Sequence, residues 1–367
     1  MRISLLIVLF LLIQLFFPIN GQAAPSVSAN NAVLIEQSTG RVLYEKSAHE
    51  KQSIASITKI MTAIIAIESG KLNEKATVSR NAVYTEGSSI YLEQGEKIKL
   101  EDLVYGLMLR SGNDSAVAIA EHVAGSVEGF AFLMNEKAKW LGMTNTNFEN
   151  PHGLDSDKHY SSAYDMAVLM QYAMENEKFR EITGATSFKS ENRTYSWQNK
   201  NKLLTRLYEY CTGGKTGFTK ATGRTLVSTA SKDGMDLIAV TLNAPDDWND
   251  HISMFEYGFK QFDMKPLVEQ GNIKFNILDI SEQAVGYYKE DLLFPLSAEE
   301  SNALVTKNYI LKDLKEEDEE IIGKTIFYLG KEPIMETLIY QDKQVELKKE
   351  QGFFSNTLRF FKKAVGL

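Results

Sequence analysis

Residues 56–70 read SITKIMTAIIAIESG, and this stretch decides how the fold is understood. Its apolar residues recur at helical spacing and leave little room for a polar face, so the sequence predicts a helix that is buried on most sides and ends near Gly70. Ser56 is predicted at the helix start, where backbone N–H groups are free, and Lys59 lies one turn later on the same face. A lysine in so apolar a helix favours a hydroxyl paired with an amine over a capping serine beside a surface lysine.

Two later strings carry groups that complement this pair. Ser111-Gly112-Asn113 falls between two helical patterns, and a turn there would present both polar side chains. Lys215-Thr216-Gly217 lies in a glycine-rich segment ahead of strand-like runs, which suggests that something approaches the backbone closely. A helix-connecting turn and a hairpin with a solvated lysine are the alternative interpretations, and each string alone is a weak signal. Their order along the chain gives them weight.

Together the three strings are the signature of penicillin-binding proteins and class A β-lactamases. The chain resembles the low-molecular-mass penicillin-binding proteins of the serine D-Ala-D-Ala carboxypeptidase family, from about Ala32 to the C-terminus. Within that family it is most similar to the carboxypeptidases of sporulating bacteria. Four further strings match the family: Thr39–Tyr44, Gly87–Leu92, Asn150–Asp155 and His159–Asp165.

The resemblance implies catalytic roles for three residues. Ser56 would attack the carbonyl of the penultimate D-Ala of a peptidoglycan stem peptide, expel the terminal D-Ala and form an acyl-enzyme that water hydrolyses. Lys59 would be the base, because burial and the nearby Lys215 both disfavour its charged form and lower its pKa. Ser111 would relay the proton toward the leaving amine. β-Lactams would acylate the same serine.

The resemblance also implies five substrate-binding residues. Asn113 would hydrogen-bond the peptide group of the substrate, and Lys215 and Thr216 would bind its terminal carboxylate. Gly217 would give the strand room to approach, and the backbone N–H of Phe218 would complete an oxyanion hole with that of Ser56.

Three departures from the family pattern accompany these matches. Ile54 stands where a proline often precedes the nucleophile, and Thr222 replaces an alanine. Asp236 stands where some relatives carry an arginine near the substrate carboxylate, and Arg224 is a candidate substitute.

The order of predicted elements indicates an α+β fold. Strand-like segments at Ala32–Ile35, Arg41–Tyr44, Thr225–Thr229 and Leu237–Leu242 enclose a helical middle, which predicts an antiparallel sheet assembled from both ends of the block. The resemblance implies a penicillin-binding/β-lactamase-like domain, a sheet flanked by helices with a helical lobe. After Lys265, alternating patterns predict a small β-rich domain, which by resemblance would serve as a pedestal.

The two termini predict export and membrane attachment. Residues 1–23 read as a signal peptide with Arg2, an apolar run and a small-residue cleavage site. The chain is then divided into a catalytic domain (24–265), the β-rich domain (266–345) and an amphipathic anchoring helix (346–367). The tail from Phe353 places aromatic and basic residues on opposite helix faces, as in helices that lie in a membrane interface. Docking of that helix on the β-rich domain is the alternative.

Composition excludes several classes of function. A formal net charge of -8 disfavours nucleic-acid binding. Cys211 is the only cysteine, so an intrachain disulfide is impossible. None of the histidines has the spacing of metal ligands, and no cofactor is expected; His152 and His159 are interpreted as structural hydrogen-bonding residues.

Three other functions compete with the carboxypeptidase hypothesis. A class A β-lactamase would need a glutamate for deacylation, and no Glu-x-x-Leu-Asn string occurs between Asn113 and Lys215. A DD-endopeptidase uses the same chemistry, and a β-lactam sensor would be acylated without turnover. The sequence leaves the last two open.

Overall fold

The computed structural model describes residues 24–276, 283–310 and 321–341, which divide into two compact units. The first unit runs to Ser231 and includes Asp236–Tyr257, and the second comprises Lys232–Met235 and residues from Gly258. The predicted signal peptide, the charged run 312–320 and the predicted C-terminal helix lie outside the described residues. The assignment of a catalytic domain to residues 24–265 stays a prediction.

A five-stranded sheet organises the first unit. Its strands are β1 (Asn31–Glu36), β2 (Val42–Lys46), β7 (Cys211–Thr219), β8 (Gly223–Lys232) and β9 (Met235–Leu242), in the order β2-β1-β9-β8-β7. Strand β1 pairs antiparallel with β2 and with β9, so that Asn31 lies opposite Leu242, and β7 pairs antiparallel with β8. The sheet is therefore assembled from the two ends of this unit, and β7 is an edge strand.

Helices occupy the stretch between β2 and β7. Serine or asparagine side chains accept backbone N–H groups at the starts of four of them, which satisfies donors that a helix leaves unpaired. The helices of this unit are α1 (Lys59–Glu68), α2 (Arg80–Val83), α3 (Leu100–Arg110), α4 (Asn113–Ala124), α5 (Val127–Trp140), α6 (Ala163–Glu175), α7 (Glu177–Gly184) and most of α8 (Asp247–Gln261). Two short ladders complete it: β3 (Lys75–Thr77) with β4 (Lys97–Lys99), and β5 (Ser187–Phe188) with β6 (Trp197–Gln198).

Helix α1 lies in the core of this unit. Every residue from Lys59 to Ile67 is buried, as the apolar sequence predicted, and truncation of one of its isoleucines to alanine should cost about 2–5 kcal/mol. The helix begins at Lys59 rather than at Ser56, because Ala55–Thr58 forms a separate 3₁₀ turn. Ala55 has φ +49°, a left-handed conformation that a regular right-handed α-helix does not contain.

The elements of the second unit are β10 (Asp263–Val268), β11 (Gly271–Asn276), β12 (Gln283–Tyr288), β13 (Leu292–Leu296), α9 (Ala298–Ala303), β14 (Leu304–Ile310), β15 (Ile321–Leu329) and β16 (Glu332–Gln341). Five of these strands form a sheet in the order β11-β12-β16-β15-β14. One face of that sheet packs on a small core that contains Tyr288, Ile322 and Ile339. The predicted α+β class with a β-rich second part is thus confirmed.

Within the described ranges, no single helix is long and apolar enough to cross a bilayer. Helices α4 and α5 together meet that test by length and composition only, and they are bent by 83°.

Candidate active site

Ser56 and Lys59 face each other at the junction of the 3₁₀ turn and α1. The Lys59 Nζ donates to Ser56 Oγ at 2.9 Å. The two side chains meet because residues three apart on a helical turn share a face. The lysine is fully buried, whereas the serine is partly exposed and so accessible to a substrate.

The Lys59 amine has two other hydrogen-bond partners. It donates to Asn113 Oδ1 at 2.7 Å and to the backbone oxygen of His152 at 2.5 Å. Two of the three predicted strings therefore meet at this one amine. The third contact comes from the loop 150–155, which matched the family but had no assigned role.

The left-handed turn before the nucleophile is held by a chain of hydrogen bonds. Thr58 Oγ1 donates to the oxygen of Ala55 at 2.8 Å. His159 Nδ1 accepts the N–H of Glu149, so its Nε2 carries the proton and donates to Thr58 Oγ1 at 2.8 Å. Gly153 packs against the same turn: a Cβ there would lie 2.0 Å from the Ala55 oxygen, and its φ is +84°. These contacts fix the backbone that carries Ser56.

Ser111 lies just after α3 and is hydrogen-bonded to Lys215, the first residue of the third string. Its φ of +64° ends the helix, and Lys215 Nζ donates to its Oγ at 3.1 Å. Lys215 also donates to the backbone oxygen of Thr216 at 2.7 Å and is almost completely buried. The two hydroxyls predicted to take part in chemistry are thus each paired with a lysine.

Asn113 is fixed at the first residue of α4. Its Nδ2 donates to the oxygen of Glu86 at 2.6 Å, and its backbone N–H donates to that of Ser88 at 2.6 Å. Gly87 is necessary there, because a Cβ would lie 2.6 Å from Asn113 Nδ2. Asp114 accepts the backbone N–H groups of Ile90 and Leu92, which keeps the segment against α4.

Strand β7 runs directly beside the nucleophile. A Cβ on Gly217 would lie 2.9 Å from the backbone nitrogen of Ser56 and 2.4 Å from Thr225 Oγ1. Thr225 in turn donates to the oxygen of Ile54 at 3.0 Å, which ties β8 to the same turn. Phe218 follows on the strand with 64% of its side chain exposed. Only glycine permits this approach of the strand to Ser56.

Burial and neighbouring positive charges lower the pKa of both lysines. The pKa of Lys59 is held well below its usual value by burial and by the positive charges of Lys215 and Lys200. The pKa of Lys215 is lowered to about 7 by burial and by Lys200. A lowered pKa favours the neutral Lys59 amine, which is the protonation state of a general base.

Burial also keeps the nearby histidines neutral. The pKa of His152 is lowered to about 3 by burial and Lys59, and that of His159 to about 4 by burial. Neither is suited to take up a proton near neutral pH. This agrees with their interpretation as hydrogen-bonding residues.

Some features of the site have no signal in the sequence. The carbonyl of His152 is a backbone group, which any residue supplies, and Lys200 is a single lysine outside the strings, whose Nζ lies 3.4 Å from Ser88 Oγ. Thr222, a departure from the family pattern, donates to Asp155 Oδ1 at 2.8 Å and links the β7–β8 turn to loop 150–155.

Arg224 is engaged elsewhere. Its Nη2 lies 2.6 Å from Asp247 Oδ1, and its guanidinium is over the Trp248 ring, which supports no role in carboxylate binding in this conformation. The pKa of the buried Cys211 thiol is raised to about 11 by burial, so it is an unreactive packing residue. In the part of the chain that is described, no three His, Cys, Asp or Glu side chains are arranged to hold a metal ion.

The comparisons with known proteins agree with this geometry. A sequence profile described as D-alanyl-D-alanine carboxypeptidase matches residues 19–246. The D-alanyl-D-alanine carboxypeptidase DacF of Bacillus subtilis is 35% identical over 300 residues, 79% of this chain and 75% of that protein. DacC of Escherichia coli is 37% identical over 263 residues, 65% of this chain and 63% of that protein. The structure of penicillin binding protein 5 from Haemophilus influenzae matches with a TM-score of 0.75 at 26% identity, covering 88% of this chain and 99% of that one.

Proposed function

The chain belongs to the D-alanyl-D-alanine carboxypeptidase family, and from this premise we propose that it removes the terminal D-alanine of peptidoglycan stem peptides through an acyl-enzyme on Ser56. The observation that carries the proposal is the contact of Lys59 Nζ with Ser56 Oγ at 2.9 Å. A hydroxyl that lies beside a buried amine with a lowered pKa is an activated nucleophile.

The partners of Lys59 determine which way the proton moves. Asn113 Oδ1 and the His152 carbonyl can only accept hydrogen bonds, whereas the Ser56 hydroxyl can also donate. A neutral amine therefore directs its two hydrogens at those acceptors and its lone pair at Ser56. The Ser56 proton passes to Lys59 as Oγ attacks the carbonyl carbon, and the carbonyl π electrons move to oxygen.

The developing oxyanion would lie between two backbone donors, the N–H groups of Ser56 and Phe218. The close approach of Gly217 on β7 to the Ser56 nitrogen supports this arrangement. Such preorganised donors are worth about 100- to 1,000-fold in kcat each.

Collapse of the tetrahedral intermediate would then expel the D-alanine amine. The Ser111 hydroxyl, hydrogen-bonded to Lys215, would give its proton to that nitrogen and take up the proton that Lys59 received from Ser56, which returns Lys59 to its neutral form. The substrate's terminal carboxylate would be bound by Thr216 and by the charge of Lys215, and its approach would raise the pKa of Lys215 and keep it protonated. Water, activated by Lys59, would finally hydrolyse the ester.

We propose that β-lactams acylate Ser56 by the same steps, because their strained amide presents a similar carbonyl. Purified Ser56→Ala should lose labelling by fluorescent penicillin, with Ser53→Ala, the neighbouring serine upstream, as the matched control. Labelling that persists in Ser56→Ala would place the nucleophile elsewhere.

Release of free D-alanine from diacetyl-Lys-D-Ala-D-Ala tests the carboxypeptidase activity directly. We expect release by the wild type and none by Ser56→Ala. Faster cleavage of cross-linked dimers would favour the endopeptidase, and penicillin labelling without any D-alanine release would favour the sensor.

We further propose that the protein is exported and held at the outer face of the cytoplasmic membrane by the tail Phe353–Leu367. We also propose a role in spore-cortex maturation, on the resemblance of the sequence to the carboxypeptidases of sporulating bacteria. Deletion of the tail should release the protein from lipid vesicles, and unchanged binding would refute the anchor.

A further inference from the structure

The β-sheet of the second unit has an unusual solvent face. In an antiparallel sheet with one face on a core, the other face is ordinarily polar. Here strand pairing places Val305 opposite Tyr328, Lys307 opposite Ile326, and Tyr309 opposite Lys324, so that these six side chains share one face. We call it the outer face; the opposite face carries the core residues Tyr288 and Ile339.

Large apolar side chains on this outer face are open to solvent. The pairings of β16 add Leu338, opposite Lys324, and Tyr340, opposite Ile321. Val305, Tyr309, Ile321 and Leu338 are 45%, 48%, 39% and 40% exposed. Exposed apolar side chains that cluster on one surface mark an interaction site.

The same face is basic, although the whole chain is acidic. The pairings place Lys274, Lys307 and Lys324 on it, and Lys289 lies 3.7 Å from the centre of the Tyr340 ring. Among the paired positions of the described strands on this face, Glu336 is the one carboxylate, and it is bound to Lys324. Lysines and tyrosines around aliphatic side chains are the groups that lie well between lipid headgroups and acyl chains.

The end of the chain indicates what covers this face. Residues 342–367 carry six Lys or Arg and three Asp or Glu. Like charge disfavours docking of this tail on the basic face, and an anionic surface attracts both. Strand β16 ends at Gln341 beside this face, and the 342–352 segment can span at most about 40 Å before Phe353. Tail and face can therefore contact one membrane.

We propose that the outer face of this sheet is a second membrane-contact surface, which binds anionic phospholipid next to the tail. The inference rests on the proposed membrane location. Attachment at a membrane interface strengthens with the apolar area buried and with attraction to anionic lipids, so a second basic and apolar contact would strengthen the attachment by the tail and set its orientation. The occupant is a lipid surface rather than the tail or a second copy of this chain.

Flotation with vesicles of phosphatidylglycerol and phosphatidylcholine tests the proposal. The variants are Lys307→Gln and the pair Tyr309→Ser with Leu338→Ser, each made in the full mature chain and in a chain that lacks 353–367. Lys331→Gln, in the turn before β16, and Leu293→Ser, which is 44% exposed on β13, are matched controls off the face. D-alanine release and size-exclusion chromatography check folding and oligomeric state.

We expect Lys307→Gln to weaken binding about fivefold, and only to anionic vesicles. The apolar pair should weaken it further, and the controls should bind as their parents do. Face variants that bind like their parents in both backgrounds would overturn the proposal, as would a face variant that alters the oligomeric state and not vesicle binding. Failure of the proposed tail anchor is distinguishable from failure of this proposal, because only the comparison of the full chain with the chain that lacks 353–367 tests the anchor.

Discussion

Gly217→Ala tests the close approach of β7 to the nucleophile. The added Cβ would lie 2.9 Å from the Ser56 nitrogen, whereas ordinary contact begins at 3.4 Å, so the strand must retreat by about 0.5 Å. Thr225 cannot easily turn away, because its hydroxyl is bound to the Ile54 oxygen at 3.0 Å. The strand that carries the predicted oxyanion donor of Phe218 therefore moves away from Ser56.

The expected loss follows from that displacement. A misplacement of about 1 Å at a reacting centre costs roughly 100-fold, so we expect the second-order rate of acylation by fluorescent penicillin to fall by roughly 10- to 100-fold. Overpacking should cost about 1–3 kcal/mol of stability, which leaves the protein folded. D-alanine release should fall in proportion.

Gly129→Ala is the control for crowding. Its Cβ would lie 3.0 Å from the Ala124 oxygen, and α5 contributes no residue to the site. This variant should be acylated normally. If Gly217→Ala were acylated as fast as the wild type, the approach of β7 to Ser56 would not matter for catalysis, and the reasoning would fail.

Three further predictions concern protons. Lys59→Arg replaces the proposed base by a permanently charged guanidinium, which is not deprotonated in proteins. Penicillin acylation should therefore fall by roughly 100- to 10,000-fold, and a near-normal rate would exclude Lys59 as the base. The pKa of Lys215 is lowered to about 7 in the fold, so between about pH 7 and 10.5 the unfolded chain holds a proton that the folded chain lacks. The destabilisation of the fold by this buried amine therefore decreases as pH rises through that window. Lys215→Met should therefore raise Tm most below pH 7, and an equal gain near pH 10 would contradict this. The pKa of His251 is lowered to about 3 by burial, so the unfolded chain, in which the pKa is about 6.5, binds protons that the fold excludes. Below pH 6.5 the free energy of unfolding, measured by urea titration, should therefore fall by at most about 1.4 kcal/mol per pH unit from this residue. His251→Gln should flatten that fall, and an unchanged slope would show that the fold accepts its charge.

Sequence reasoning could place the elements that carry the chemistry. The buried α1, the sheet assembled from both ends of the unit and the meeting of Ser56, Lys59 and Asn113 were all predicted. The helix follows from a periodicity that is local in sequence, the sheet from the order of the predicted elements, and the meeting of the three side chains from the resemblance to the family.

The remaining parts of the site depend on tertiary structure. The 3₁₀ turn at Ala55–Thr58 cannot be read from residues that favour a helix, because contacts from Gly153 and His159 hold it. The carbonyl that binds Lys59 is equally invisible, since every residue has one. The tie of Arg224 to Asp247 depends on the packing of α8, which no pattern near Arg224 reveals.

The pairing of β1 with β9 has a consequence for how the protein is made. Asn31 and Leu242, about two hundred residues apart, lie side by side, and the strand that carries Lys215 joins the sheet only through β8 and β9. During synthesis, Ser56 is therefore made long before strand β7, which lies beside it in the fold. Pairings between strands so distant in sequence also form slowly. Competence for acyl transfer should arise abruptly, when the last strand inserts, and nascent chains stopped before that point should be inert toward penicillin.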